Sequence, residues 1–511
     1  MAKIKNFFSS YYVFAFAFVL YTFARMVVIG DAFNDTTWQI ADGRMMLQFG
    51  RLLTMSDFSW LADGKVVEYQ NHEWLYEIIL YLFSLIPYGL VLFKALSTGF
   101  LGFFFIKMLS YKKSKDTDKP GIIAVIALSM LYAFSLNAYF LRPYIWGFIF
   151  FMWMAYALWF DHKWLKSLPV LGILWANMHG GSMAMYVVMV VMYFAGHAFD
   201  KAFGKFESHK DSDLKNVALW CSAGYTCQII NPYGINMLIY PFVWTSNDAM
   251  NEYIIEWRKM SFENGNLNAS VLLLTVVIFI CMLWKFKQVN ISELILMAGC
   301  AVLASMHVRH FAYAILAFVI FSALHIDDIR FKIEDGEKIS SIWFLSCLLI
   351  IFNAVTIFDG IRELPKHGFC LAFTESFIGI ESGGITATGR ISADRSEDVI
   401  NFIDDIKSEY DPQRLYTTFN LGGIASYCDI KTYIDGRFTP YADVLDEYLI
   451  LTDCKEGFSD IISERNFDYY LVDEDNVLYK DYISQNSDKF ILVSDSGFGL
   501  KCYKYQEGSS L

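Results

Sequence analysis

One polar stretch between two strongly apolar ones gathers side chains suited to acid–base or phosphate chemistry. It runs from residue 31 to 77 and carries Asp31, Asp35, Asp42, Asp57, Asp63, His72, Glu73 and Glu77. A carboxylate at a membrane surface can take the proton of an acceptor hydroxyl or amine during group transfer. Asp35, just ahead of Thr36-Thr37-Trp38, is the best candidate for that base, and Asp31 is the second. The plainer role for Asp35 is to cap a helix over 36–49, because Asp accepts the orphan N–H groups of a first turn. One residue can do both.

His72, Glu73 and Glu77 open the next apolar segment, with the two glutamates one helical turn apart on a shared face. With Asp35 they could bind a divalent ion (Mg, Mn or Zn) through oxygen, with His72 or His179 as nitrogen ligand. An ordinary helix start, with acids at the favourable dipole end, accounts for them more simply. Three arginines sit in or beside apolar runs: Arg25 in the first, Arg142 at the end of a later one, and Arg309 next to His310 between two more. Intramembrane charges default to functional hypotheses. A guanidinium matches phosphate oxygens with parallel hydrogen bonds, so these residues are candidates for holding a lipid phosphate. Snorkelling to headgroups or pairing with an acidic neighbour is the plainer alternative.

His179 in Trp-Ala-Asn-Met-His-Gly-Gly reads as a substrate contact or a packing histidine, and Glu256 and Arg258 of Glu-Trp-Arg as further substrate or metal candidates. Asn231-Pro-Tyr-Gly reads as a helix-breaking turn. Tyr433-Ile-Asp435-Gly-Arg437 falls at an expected strand end, where α/β sites often lie, but a turn held by an Asp–Arg pair explains it more simply.

The elements that must position these groups follow from composition. Of 511 residues, 55% are hydrophobic and only 18% charged, against about 25% charged in soluble proteins. Apolar runs recur at 11–30, 74–110, 121–139, 143–161, 167–179, 182–200, 216–231, 268–285, 291–306, 309–325 and 341–358. They predict a polytopic α-helical membrane protein of about 11–13 transmembrane helices. The basic start Met1–Ser10 leads into a run read as the first span rather than a cleaved signal. Lys and Arg in the short loops place the N-terminus in the cytoplasm and the 31–77 loop outside. This alternation holds if 74–110 crosses once, with 74–87 re-entrant or interfacial. Residues 1–359 then form the membrane domain and 360–511 an extracytoplasmic α/β domain. Strand-like pieces at 415–419, 431–435, 468–472, 490–493 and 500–505 alternate with helical ones, which predicts a small, mainly parallel sheet. The net charge of −12 excludes nucleic acid as a partner. The nine cysteines show no metal spacing and no readable pairing.

Taken together, NDTTWQIADGR, NHEWLYE, LRPYIWGF, WANMHGG, INPYG, EW and YIDGR resemble a group of bacterial multi-pass proteins that is similar to the GT-C superfamily of membrane glycosyltransferases. That superfamily includes protein O-mannosyltransferases, aminoarabinose transferases and oligosaccharyltransferase catalytic subunits. The resemblance covers about residues 12–505. It implies a polyprenyl-phosphate sugar as donor, action at the outer face, and inversion at the sugar. It implies a base at Asp35, an acidic contribution from Glu73 or Glu77, and Arg and His residues on the lipid phosphate. The WWD-type acceptor motif of oligosaccharyltransferases and the Asp-Glu pair of protein mannosyltransferases are absent.

The expectation is therefore a transferase of the cytoplasmic membrane. It would move a sugar from polyprenyl phosphate to a glycan, lipid or protein acceptor. Asp35 would act as base, and Arg309, His310 and Arg142 would hold the leaving phosphate. A transporter or flippase for a lipid-linked glycan would use the same arginines, but no inverted repeat is visible. A non-catalytic envelope-assembly protein is the third class.

Overall fold

The computed structural model describes residues 33–87, 89–111, 141–203, 211–245, 259–260, 276, 289–324 and 396–506. Expected spans at 11–30, 121–139 and 341–358 lie outside the described residues, as does all of 268–285 except Val276. Arg25, Asp31, Glu256 and Arg258 also lie outside them. The described chain is mostly helical with one small sheet. It divides into two compact units, with one cut between them at 359/360. One unit comprises Lys94–Tyr139 and Pro143–Asp359 together with the N-terminus; the other joins Ile29–Phe93 and Phe140–Arg142 to Gly360–Leu511.

The first unit is a set of apolar helices. They include Tyr144–Ala155, Leu168–Met178, Ala184–Ala202, Asp211–Cys227, Ile291–Met306 and Phe311–Leu324. Among the described residues one helical stretch, Gly180–Ala202, is long and apolar enough to cross a membrane. Tyr144–Phe160, Ile291–Met306 and Val308–Phe321 are shorter apolar helices. Glycine sets the helix spacing. A methyl at Gly172 would strike the Gly224 carbonyl, and one at Gly196 would strike the Ser292 backbone. Such small-residue contacts are how helices approach closely where water gives no drive to associate. Asn231-Pro232-Tyr233-Gly234 is the expected turn: the Asn231 amide donates to Gln228 O (2.6 Å) and Gly234 O (3.1 Å), and Gly234 takes φ +55°.

In the second unit, helix α1 (Phe33–Phe49) and helix α2 (Trp74–Ser84) come from the polar stretch. The run at 74–110 is broken after α2, before a helix over Gly89–Tyr111. With 11 residues, α2 rises about 16 Å, too short for a hydrocarbon core of about 30 Å. The C-terminal part adds α3 (Ser396–Tyr410), α4 (Phe419–Tyr427) and strands β1 (Leu415–Thr417), β2 (Tyr469–Asp473), β3 (Phe490–Asp495) and β4 (Leu500–Tyr505). Apolar positions Val399, Ile403 and Ile406 recur at helical spacing on α3. They meet Leu415, Leu421, Ile424, Leu471 and Cys502 in one core.

The sheet order is β1-β2-β4-β3. Only β1–β2 is parallel; β2–β4 and β3–β4 are antiparallel, so the mainly parallel sheet expected from strand–helix alternation is not what forms. The reason is local. Gly497 and Gly499, both at positive φ, let β3 turn straight back into β4 as a hairpin. The expected strand at 431–435 makes only isolated bridges, Thr432 to Ser59 and Thr432 to Leu415.

Candidate functional site

The polar stretch and the C-terminal part of the second unit are knitted together by backbone and side-chain hydrogen bonds. The Thr432 N–H donates to Phe58 O (3.0 Å) and the Ser59 hydroxyl to Thr432 O (2.7 Å). Trp60 Nε1 donates to Leu415 O at 3.1 Å. The Arg44 guanidinium caps α4, donating to Tyr427 O (2.7 Å) and Asp429 Oδ1 (2.8 Å). Two glycines let each part pack within itself: a methyl at Gly43 would strike the Glu77 carbonyl on α2, and one at Gly422 the Ile434 carbonyl.

Asp35 stands in the first turn of α1, inside the helix rather than ahead of it as a cap, where a negative charge suits the helix dipole. Its carboxylate forms an ion pair with Arg142 Nη2, and both side chains are 19% exposed. Trp38 Nε1 lies 3.5 Å from Asp35 Oδ1. Gly436 closes the other side: an added Cβ there would come within 2.5 Å of Trp38 Nε1 and 2.8 Å of Asp35 Oδ1. Thus two residues singled out separately from the sequence, Asp35 and Arg142, meet in one partly open place. The third element there is a glycine that sequence reasoning treated as part of a turn.

Two turns along α1, Asp42 faces a sealed cluster. Arg437 donates to both Asp42 oxygens through Nε (3.1 and 3.0 Å), and its Nη2 also pairs with Asp42. Its Nη1 pairs with Asp435, and Nη2 donates to Ser426 Oγ at 3.0 Å. The Asp435 carboxylate also accepts from Tyr441 OH (2.8 Å) and Thr432 Oγ1 (3.1 Å). The guanidinium carbon lies 4.0 Å from the Phe58 ring centroid and 5.3 Å from that of Trp38. Burial pushes the Asp42 carboxyl up to about 6, against the pull of Arg437. Burial opposes the charge on Arg437, but Asp42 and Asp435 outweigh it and hold the guanidinium above its ordinary value. The Asp435–Arg437 pair is the turn expected from the sequence. Its second anchor, Asp42, was legible only as one acid among several.

At the start of α2, His72 Nε2 lies 3.1 Å from Glu73 Oε1, and Gln39 Nε2 donates to Glu73 Oε2 at 3.3 Å. Asn71 donates to Glu77 Oε2 (2.5 Å) and accepts the Glu73 N–H (2.9 Å). Glu77 is fully buried, and burial, reinforced by the nearby Asp42 charge, holds its pKa well above the ordinary value. Gln39 and Asn71 carried no signal in the sequence beyond being polar. Within this unit His72 and Glu73 offer an ion one nitrogen and one oxygen, whereas Asp35 is engaged by Arg142 and Glu77 by Asn71.

His179, Arg309 and His310 belong to the first unit. His179 ends the helix Leu168–Met178, is 2% exposed, and packs on Gly147, where an added Cβ would meet its Cδ2 at 3.0 Å. Arg309 and His310 form a 3-10 turn, Val308–His310, between two apolar helices.

No protein-family model matches the chain, and no curated protein matches it.

Proposed function

We propose that this chain is a polytopic membrane glycosyltransferase that uses a polyprenyl-phosphate sugar at the outer face of the cytoplasmic membrane. The observation that carries the reading is the Asp35–Arg142 pair. A candidate base and a candidate phosphate ligand, far apart in the chain, share one partly exposed place beside the first turn of α1. The apolar composition and the small-residue helix contacts support the membrane setting.

The chemistry follows from the pair. A guanidinium that pairs with a carboxylate will also bind phosphate oxygens. When the donor's phosphate engages Arg142, the guanidinium's hold on the Asp35 carboxylate weakens and that carboxylate can accept a proton. The acceptor hydroxyl then gives its proton to Asp35 while its oxygen attacks the anomeric carbon from the face opposite the phosphate. The carbon–oxygen bond to phosphate breaks, and polyprenyl phosphate leaves with the electron pair, its charge met by Arg142.

The test is Asp35→Asn in proteoliposomes supplied with radiolabelled polyprenyl-phosphate sugars. Removing a general base typically lowers turnover by about 10²–10⁴-fold, and here folding is expected to be unaffected. Undiminished transfer in that variant would remove the base assignment. Lipid movement across the bilayer without transfer would favour a flippase instead.

A further inference from the structure

The turn Asp435–Phe438 has no part in the proposed chemistry, yet it is among the most tightly held pieces of the second unit. Phe438 takes φ +59° and ψ −59°, and the Thr439 N–H donates to Arg437 O at 2.6 Å. This is a γ-turn of the rare positive-φ kind, costly for a residue with a side chain. Backbone strain of this sort persists only where the surroundings over-determine it. They do so here: Asp42, Asp435 and Ser426 fix the Arg437 guanidinium, and Phe58 and Trp38 cover it. The residue this arrangement presents to the Asp35 carboxylate is Gly436, the half-exposed member of a buried run.

We infer that Gly436 and Arg437 are positioning residues for Asp35, so that the C-terminal part of the chain supplies one wall of the proposed site. Arg437 sets the turn, the turn sets the Gly436 backbone, and that backbone fixes where the Asp35 carboxylate and the Trp38 indole can lie. No larger residue fits at 436 without displacing one or the other. The functional meaning rests on the transferase reading above; the positioning itself does not.

The experiment uses the full-length protein in detergent. Carboxylates are coupled to glycinamide with a water-soluble carbodiimide, and each peptide is followed by mass spectrometry. In Gly436→Ala, coupling at Asp35 rises several-fold, Asp42 stays unlabelled, and the melting temperature holds. Arg437→Lys keeps the charge but loses the fork that reaches both Asp42 and Asp435; it raises Asp35 coupling and lowers the melting temperature. Unchanged Asp35 coupling in Gly436→Ala overturns the inference. So does a rise shared equally by Asp42, which would mean general loosening. Because coupling needs no turnover, this result is independent of whether Asp35 is a base. In a working transfer assay, Gly436→Ala lowers kcat with little change in KM, as expected for a misplaced base rather than a lost substrate contact.

Discussion

Helix α1 carries two aspartates two turns apart, each joined to an arginine from a distant part of the chain, and the two pairs differ in every physical respect. Asp35 and Arg142 are each 19% exposed, whereas Asp42 and Arg437 are each 0% exposed. The sealed pair has a third charge, three hydroxyl partners and two aromatic rings around it. The open pair has a glycine backbone and an indole edge. A charge closed off from water can hold two segments together but cannot exchange its partner for a substrate. A charge at the surface can do the second and contributes little to the first. One helix thus separates a structural ion pair from a candidate catalytic one by position alone.

This contrast can be broken most directly at Arg437. Arg437→Ala leaves Asp42 and Asp435 buried without their cation, and should cost about 3–5 kcal/mol of stability, read as a large drop in melting temperature. A triple replacement that removes all three buried charges, Asp42→Leu, Asp435→Asn and Arg437→Met, should recover much of that loss, because uncharged groups of similar volume often substitute without cost for buried ions. Failure to recover would mean that the pair's geometry, not its charge balance, holds the turn. The open pair should give the opposite result: Asp35→Asn should move stability by no more than about 1 kcal/mol in the melt that detects Arg437→Ala.

Next in size is the helix contact that places both aspartates. Gly43→Ala improves helix propensity but drives a methyl into the Glu77 carbonyl. The net result should be destabilisation of about 1–3 kcal/mol, measured by denaturant titration.

The pH dependence sharpens the comparison further. The Asp42 carboxyl titrates at about 6 when folded, against an ordinary value of 3.8. The folded state therefore binds the proton more tightly than the unfolded state. The corresponding stability is complete below the ordinary value and is lost as pH rises through about 6. Asp42→Asn should reduce the fall of the melting temperature between those limits without abolishing it, because the buried Glu77 carboxyl, also held above its ordinary value, contributes a slope of the same sign. The smallest effect is expected at Arg44, whose partner Asp429 is 65% exposed. Arg44→Ala should cost at most about 1 kcal/mol, less at high salt.

The sequence made some of this legible and left some hidden, for identifiable reasons. Helix α1 was expected over 36–49 and runs from Phe33, since its start depends on backbone geometry that composition does not encode. The Asp435–Arg437 turn could be read from its own residues because both partners are local. The antiparallel half of the sheet could not, because hairpin closure at Gly497 and Gly499 competes with a strand–helix pattern that fits a parallel sheet equally well. The partners of the acidic residues were not legible either: Asp35 faces a guanidinium from residue 142 and Glu77 the Asn71 amide.

By itself, the amino-acid sequence determined the apolar and polar periods: where helices form, which segment is rich in carboxylates, and which arginines sit at the ends of apolar runs. Those properties are local, and burial follows from them. Only the tertiary structure decided that the polar stretch packs with the C-terminal part, that Asp42 is sealed while Asp35 stays open, and that Gly436 faces Asp35. Each of these depends on contacts between residues hundreds of positions apart, where the identity of a side chain says what it can bind but not what will be brought to it.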